Sequence, residues 1–293
     1  MKRLGFAALA LLGACATLSA GSPQRFMPDE ISTAASEWNL NIDGKDRLLF
    51  ARSPEADFEN AEIMAAERGP LGWYVSEVFD DAATDTDPFL ATSEAGDWLL
   101  FASDRPGGGG ASANLNLWRV RWSQGRALGT PEPLSGVNSG GPELGPELHG
   151  DTLYFNSARR SGLGGLDIYQ ARQTPSGFEA PTALPAPLNS ASSEGDFTLS
   201  ADGRVALFWS DRPGGLGEGD IYLGVRQGDG WSTPVNLGAP VNSAAFDFTP
   251  SLSRDGRWLY FSSMRKLDGA DVRSDIYRLP VSAVPVLREA LRR

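Results

Sequence analysis

A block of roughly 53 residues occurs five times along the chain and fills nearly everything after the first two dozen residues. Each copy contains an apolar segment that ends in phenylalanine, and successive copies of this residue stand 51 to 54 positions apart, at Phe50, Phe101, Phe155, Phe208 and Phe261. Self-similarity at a fixed period of this length indicates a repeat architecture, in which each unit buries its apolar face against its neighbours. One closed domain is therefore expected.

Turn signals divide each block into short strands. Asp202-Gly203 and Asp255-Gly256 stand between apolar runs, which is the strongest short-range signal for a hairpin. A further turn before the last strand contains Gly230-Trp231 in the fourth block. The blocks show no helical periodicity, so each is predicted to form four antiparallel strands. The prediction is an all-β chain with a single β-propeller of five four-stranded blades, or six if the termini contain a degenerate unit.

The ends of the repeat predict how the ring closes. The fifth block has no good copy of the outer strand that Pro234–Leu237 supplies in the fourth block. The segment 24–28 stands where an outer strand would precede the first block, so it is expected to complete the fifth blade and remove an open sheet edge. The propeller is thus predicted over 24–280. A basic C-terminal tail over 281–293 is expected to be an exposed helical turn or disordered.

The N-terminus has the features of an export signal. Lys2 and Arg3 precede a short apolar run, and Leu12-Gly13-Ala14-Cys15 resembles a bacterial lipobox, in which the cysteine is lipidated. Cys15 is the only cysteine, and a lone cysteine in an exported protein needs a special role. The prediction is a signal peptide over 1–14, a linker over 15–23 and an outer-membrane lipoprotein in the periplasm. The alternative is ordinary cleavage after Ala16 or Ala20.

Charge and residue counts exclude several functions. The formal net charge of −11 disfavours nucleic-acid binding, which depends on Lys and Arg neutralising phosphates. His149 is the only histidine, so metal sites built from His or Cys are excluded and a Ser-His-Asp triad would depend on this one turn residue. No cofactor is expected, with calcium as the one cation that the acidic residues could bind.

Specific motifs resemble a known repeat family. Ser103–Gly108, Ser210–Gly215 and Asp220-Ile221-Tyr222 are similar to WD40-like propeller repeats of the TolB type. The Val-Asn-Ser segments before the inner strands resemble the variety of these propellers that is often found beside OmpA-like domains. The resemblance covers nearly the whole chain after the leader. It implies the propeller fold and gives little information about function.

One acidic residue per block aligns just before the inner strand. The aligned residues are Glu37, Asp87, Glu143, Glu194 and Asp247. If these side chains converged at one mouth of the central channel, they would attract cations or a basic peptide. Two other interpretations stay open: the acids could accept backbone N–H bonds within the blades, or they could form a calcium site.

A second set of repeated charges lies in the glycine-rich loops. Arginines occur at equivalent positions, Arg105, Arg159, Arg212 and Arg265, with Arg52 as a looser counterpart. Acidic residues follow in three blocks, at Asp167, Asp220 and Asp275. We expect each arginine to pair with the following aspartate and to brace its loop.

The sequence leads to three functional hypotheses. The first is a non-catalytic, non-enzymatic scaffold in the cell envelope that binds an envelope protein, a peptide or a cell-wall glycan and contacts the membrane through its lipid alone. The second is a carbohydrate-active hydrolase or lyase that uses carboxylates in the channel. The third is a structural propeller that calcium stabilises. The first was preferred because acids that are equivalent in every blade lack the different environments that acid–base catalysis needs.

Overall fold

The computed structural model describes residues 21–28, 30–43, 47–94, 96–109, 114–266 and 273–292. Five antiparallel sheets follow one another along these residues, and each forms one blade of a closed ring. The prediction of a five-bladed, all-β propeller is confirmed. The predicted signal peptide, Cys15 and the linker residues as far as 20 lie outside the described residues.

Each blade contributes one strand to each of four concentric positions. The inner strands are β2 (Ser36–Ile42), β6 (Asp85–Ala91), β10 (Glu143–His149), β15 (Glu194–Leu199) and β20 (Asp247–Leu252). The second strands are β3 (Arg47–Ser53), β7 (Asp97–Ser103), β11 (Thr152–Ser157), β16 (Val205–Ser210) and β21 (Trp258–Ser263). The third strands are β4 (Glu62–Gly69), β8 (Asn116–Ser123), β12 (Asp167–Thr174), β17 (Asp220–Gln227) and β22 (Asp275–Pro280).

The outer position is the most variable. In blades one and two it is a continuous strand, β5 (Gly72–Glu77) and β9 (Arg126–Pro133). In blades three and four it is divided into two short pieces, β13 (Gly177–Phe178) with β14 (Thr182–Ala183), and β18 (Gly230–Trp231) with β19 (Val235–Asn236). In blade five it is the N-terminal strand β1 (Gln24–Arg25), which pairs with β22 and closes the ring as predicted.

The repeated phenylalanines form the core between the blades. All five lie in second strands and are at most 1% exposed. Second and third strands are the best shielded from solvent, because each has a neighbouring strand on both sides and a neighbouring blade on both faces. This explains why the apolar pattern of the sequence is clearest in these two strands.

Each inner strand contains a bulge at the same position. The register with the second strand shifts there, for example between Thr86 and Phe89 and between Gly195 and Thr198. One residue at each bulge has a left-handed backbone with φ between 43° and 55°; these are Asn39, Asp87, Gly145, Asp196 and Thr249. Because a bulge bends the strand and redirects its side chains, it can alter what a blade presents to the axis of the ring.

The C-terminal tail is ordered, contrary to the expectation of an exposed or disordered segment. After a short 3₁₀ turn at Val281–Ala283, helix α1 (Pro285–Arg292) packs its apolar face on blades four and five. Leu287 is fully buried and Ala290 is 8% exposed. Apolar residues spaced by three positions give this segment a buried stripe, which its basic composition obscured. Among the described residues, no helix has the length and apolar character that crossing a bilayer requires.

Candidate active site on the propeller axis

The aligned acids begin the inner strands, but the residue in blade two is Asp85 and not Asp87. Asp85 pairs in register with Ser103, as Glu143 pairs with Ser157 and Glu194 with Ser210. The sequence alignment was therefore wrong by two residues in blade two. We call the corrected set the strand-initial acids: Glu37, Asp85, Glu143, Glu194 and Asp247.

The strand-initial acids are structural. Their side chains are 0–3% exposed, and each lies 2.6–3.1 Å from an arginine of the same blade, Arg52, Arg105, Arg159, Arg212 or Arg265. Burial raises the pKa of Glu37 and of Asp85, and the adjacent arginines oppose that rise. Because each acid is paired with an arginine inside its own blade, the acids do not form the expected ligand-facing ring. Within the described residues, no group of three or more His, Cys, Asp or Glu side chains could hold a metal ion.

The loop arginines consequently have different partners from those predicted. Asp167 accepts hydrogen bonds from the backbone N–H groups of Leu163 and Gly164, and Asp220 accepts one from Leu216. Asp275 pairs with Arg25 of the closing strand at 2.8 Å. The acids brace the loops as expected, but they do so through the backbone, while the arginines bind the strand-initial acids.

The five bulge residues form a polar ring around the axis. The backbone N–H of Gly145 donates to Asp87 at 3.0 Å, and that of Thr249 donates to Asp196 at 3.2 Å. The N–H of Asn39 donates to the hydroxyl of Thr249 at 3.3 Å. Only two of the five positions carry a carboxyl group. We call Asp87 and Asp196 the axial carboxylates.

The two axial carboxylates have different environments. Asp87 accepts from Gly145 N and from the Thr86 hydroxyl at 3.0 Å each, and from the Trp38 indole at 3.3 Å. Asp196 accepts two longer bonds, one from Thr249 N at 3.2 Å and one from the Asn156 amide at 3.3 Å. Hydrogen bonds to a carboxylate favour its ionised form, so Asp87 is the better stabilised anion.

Burial and proximity raise the pKa of the axial pair. Burial raises the pKa of Asp196 to about 7, and the charge of Asp87 adds to the rise. Burial also raises the pKa of Asp87, against the hydrogen bonds from Gly145, Thr86 and Trp38. Since two neighbouring carboxylates resist carrying two charges, the protonation of each one depends on that of the other, and the pKa values of both are raised.

Gly145 makes room for this pair. A Cβ atom at this position would lie 3.1 Å from both Asp196 Oδ1 and Asn156 Nδ2, and the φ of +55° also favours glycine. Blade three therefore contributes only backbone at the point where a side chain would crowd Asp196.

The axial carboxylates lie at the base of a cavity of about 220 Å³. Its wall is a continuous arc of aromatic rings, with centroid separations of 4.6 to 5.7 Å between successive members, in the order Trp38, Phe58, Phe248, Phe246 and Trp209. The polar groups at the base are few and lie together. Small-molecule sites have this character, with apolar walls and a small number of placed polar groups.

Phe58 belongs to this arc at a cost in backbone energy. Its φ is +67°, a left-handed conformation that is unusual for a bulky residue. The β3–β4 loop thereby places the Phe58 ring 4.8 Å from Trp38 and 5.7 Å from Phe248. Strained residues of this kind cluster at functional sites, where the surrounding structure holds them.

A third carboxyl group lies on the other side of the axial pair. Glu147 lines a smaller cavity of about 40 Å³ together with Asp196. It accepts hydrogen bonds from the Thr198 hydroxyl and from Leu199 N, both at 3.1 Å, and burial raises its pKa to about 7. Glu147 does not line the aromatic cavity.

The five-bladed ring is similar to several solved structures at the level of the fold. A thermostable family-43 glycoside hydrolase aligns over 86% of this chain and 91% of its own, with a TM-score of 0.57 and 9% identity. An α-L-arabinofuranosidase from Lactobacillus brevis aligns over 85% of this chain and 90% of its own, with a TM-score of 0.50 and 13% identity. A putative TolB from Agrobacterium tumefaciens aligns over 86% of this chain and 79% of its own, with a TM-score of 0.53 and 18% identity. No protein-family model and no curated protein matches the sequence.

These comparisons overturn the preferred hypothesis of a non-catalytic scaffold that is not an enzyme. The similar structures are mostly glycoside hydrolases, with one TolB-like propeller among those described here. The premise of the hypothesis is also wrong, because the acids on the axis are not equivalent across blades. The resemblance to TolB-type propellers holds for the fold, and the association with OmpA-like domains gains no support.

The sequence contained a signal for the axial pair that the alignment missed. Two residues after each strand-initial acid, the five blocks have Asn39, Asp87, Gly145, Asp196 and Thr249. With blade two aligned correctly, this is the position where the repeat is broken. The misalignment assigned Asp87 to the structural acids and left Asp196 without a partner.

Proposed function

We propose that the protein is a glycoside hydrolase whose active site is the aromatic cavity with its two axial carboxylates. The observation that carries the proposal is the pair itself: Asp87 and Asp196 are neighbours in different environments. Glycosidases use two such carboxyl groups, one protonated and one ionised, on either side of the scissile bond. Two acids whose pKa values are separated by their surroundings are the usual basis of this division of roles.

The different environments of Asp196 and Asp87 suggest a different catalytic role for each. Asp196 holds the shared proton and donates it to the glycosidic oxygen as the bond to the leaving group breaks. Asp87, ionised and fixed by its three donors, faces the anomeric carbon either as the nucleophile or as the base that activates a water. The aromatic arc supplies apolar faces against which a sugar ring can stack and excludes water from the reacting bond. The anomeric configuration of the first product, followed by NMR, separates the two roles of Asp87.

The size of the cavity bears on the substrate. About 220 Å³ is below the roughly 300–1,000 Å³ of sites for drug-sized ligands, which suits one sugar ring. We therefore propose that the enzyme removes single sugars from the end of a glycan. The arabinofuranosidases among the similar structures make a five-membered sugar the first choice for testing.

A panel of aryl glycosides tests the hydrolase proposal. We expect turnover of at least one pentoside, and a loss of at least about 100-fold in kcat/KM for Asp196→Asn and for Asp87→Asn. With a dinitrophenyl leaving group, which needs no protonation, the Asp196→Asn defect should shrink while the Asp87→Asn defect remains.

Asp202→Asn is the matched control, because Asp202 is an exposed acid at the far end of blade four. It should retain full activity. Absence of turnover with every glycoside, or equal rates for the axial variants and the control, would refute the proposal.

We also propose that the protein is exported and anchored to the outer membrane through Cys15, where its substrate would be a glycan of the cell envelope. The lipobox-like Leu12–Cys15 segment supports this location. Cys15→Ala should release the protein from the membrane fraction and abolish labelling with a radioactive fatty acid. Labelling of the variant at the normal level would contradict the anchor.

A further inference from the structure

A second, larger concavity lies on the face of the ring opposite the aromatic cavity. It has a volume of about 770 Å³ and runs between the β20–β21 hairpin of blade five and helix α1. Four arginines line it, Arg254, Arg257, Arg288 and Arg292. The hairpins at this end join the inner strands to the second strands, whereas the aromatic cavity lies where the inner strands begin. We call this concavity the basal groove.

The basal groove is positively charged although the chain is acidic overall. Its two aspartates are already paired, Asp202 with Arg204 and Asp255 with Arg257, each at 2.6 Å. Arg254, Arg288 and Arg292 are exposed, and none of them has an ion-pair partner within the part of the chain that the structure describes. Three free guanidinium groups therefore face solvent on a protein whose formal net charge is −11. This concentration of charge fits an anionic surface.

The direction of the closing strand connects the groove to the N-terminus. Strand β1 runs antiparallel to β22, with Gln24 opposite Arg278 and Arg25 opposite Tyr277. Strand β22 ends at Pro280, which lines the groove. The chain that precedes Gln24 therefore leaves the ring on the groove side. Eight residues lie between Cys15 and Gln24, so the nine Cα-to-Cα steps reach at most about 30 Å.

We propose that the basal groove is a docking surface for an anionic phospholipid bilayer. Its arginines would lie at headgroup level, where juxtamembrane basic residues bind anionic lipids. Leu71, 93% exposed, lies in the β4–β5 turn at the same end of the neighbouring blade one and adds an apolar contact. An acidic peptide also carries the negative charges that would bind these arginines, but the position of the N-terminal segment favours the membrane. In this orientation the aromatic cavity faces away from the bilayer and stays open to glycan.

Vesicle binding by the unlipidated chain tests the docking surface separately from the anchor and from catalysis. The chain from residue 21 contains every strand of the ring and is the form to use. It should bind vesicles of phosphatidylcholine with phosphatidylglycerol and release them at high salt, and it should not bind phosphatidylcholine alone. The triple variant Arg254→Gln, Arg288→Gln, Arg292→Gln should bind about 100-fold more weakly, from the contribution of each arginine near a membrane surface.

The matched control is Arg160→Gln, Lys266→Gln, Arg273→Gln, which removes the same charge from the loops at the opposite end of the ring. It should bind like the parent chain, and all three proteins should melt at similar temperatures. Three outcomes would overturn the proposal: no binding of the parent chain to anionic vesicles, an equal loss in the control, or tighter binding of soluble polyglutamate than of vesicles, which would identify an acidic polypeptide as the ligand.

Discussion

Asp196 illustrates how the axis of the ring controls the chemistry of a single residue. Its carboxyl group is largely desolvated, lies near the charge of Asp87 and accepts two long hydrogen bonds. Burial and the charge of Asp87 favour the protonated form, the two long hydrogen bonds oppose it only in part, and the result is a pKa of about 7. A general acid with a pKa near the working pH is protonated often enough to act and acidic enough to donate.

The pH dependence of hydrolysis follows from this pKa. The reaction needs Asp196 protonated and Asp87 ionised, so kcat/KM should fall about tenfold for each pH unit above about 7. On the acid side, activity should fall as Asp87 becomes protonated. The measurement is a pH–rate profile with an aryl glycoside, and an alkaline limb that is unchanged in Asp196→Asn would contradict the assignment.

The raised pKa of Asp196 should also make the stability of the fold depend on pH. Folding raises the pKa of Asp196 from 3.8 to about 7. The contribution of its neutral carboxyl group to the stability of the fold is therefore fully present below pH 4 and is lost as the pH rises through 7. Asn is neutral at every pH. Asp196→Asn should therefore be more stable than the parent at pH 8, by roughly 5 °C in Tm, and similar to it at pH 4.

Thermal melts at pH 4 and pH 8 measure this effect. In the parent chain, hydrogen bonds from Ser200 and from Arg204 lower the pKa of Asp202 to about 2, so no gain at pH 8 is expected for Asp202→Asn. A parent-like melting temperature for Asp196→Asn at pH 8 would show that Asp196 is ionised without cost in the folded protein.

At the scale of the elements, each inner strand is fixed by one buried ion pair. The strand-initial acid binds an arginine, which lies in the loop after the second strand in blades two to five and within β3 in blade one, and the arginine stacks on the aromatic core of its blade. In blade four, Arg212 lies 3.0 Å from Glu194 and 5.4 Å from the centroid of the Phe208 ring. The backbone N–H of Glu194 also donates to Leu166 in the preceding blade at 2.9 Å. One residue thereby connects the strand, the loop and the adjacent blade.

Removing such an acid should be costly. Glu194→Ala leaves the Arg212 guanidinium largely buried without its counter-charge, which destabilises by about 3–5 kcal/mol. Asp202→Ala breaks an exposed pair with Arg204 and should cost less than about 1 kcal/mol. Urea unfolding of both variants measures the difference. Equal effects would mean that the strand-initial acids are no more structural than surface charges.

At the scale of the whole molecule, closure of the ring depends on the two-residue strand β1. It covers the edge of β22, and Phe26 next to it is 6% exposed and packs against Tyr260. Arg25 adds a bond to Asp275 and donates to the backbone carbonyls of Ser32 and Thr33. A short strand is sufficient because the ion pair of Arg25 within it and the apolar contact of Phe26 directly after it both hold it in place.

Deleting residues 21–28 should open the ring. The edge of β22 and the apolar surface under Phe26 become exposed, so the Tm should fall by about 10 °C and the protein should self-associate. Calorimetry and light scattering measure the two effects. Arg25→Ala, which removes only the partly exposed ion pair, should lower Tm by a few degrees and stay monomeric. A truncated chain that melts like the parent would show that β1 does not close the ring.

The fold was predictable from sequence because its determinants are local and repeated. A single unit is enough to recognise the phenylalanine of the second strand and the Asp-Gly turn. Comparison of the units is enough to recognise that the fifth block has no outer strand. The acids were harder to interpret, since Asp85 and Asp87 both fit the spacing of the repeat, and only the pairing of Asp85 with Ser103 identifies the structural one. A helical turn was one of the two expectations for the C-terminal tail, but the burial of helix α1 was missed because it depends on a surface that two blades form together.

The sequence by itself determined the repeat, the order of the strands and the way in which the ring closes, and it favoured five blades over six, since strand period and turn chemistry act over a few residues. Only the tertiary structure decided which acids meet on the axis. Asp87 and Asp196 belong to blades two and four, and they become neighbours because five bulged strands converge on one line. Their pKa values are raised by burial, and that of Asp196 also by the charge of Asp87, and both causes exist only once the ring is closed.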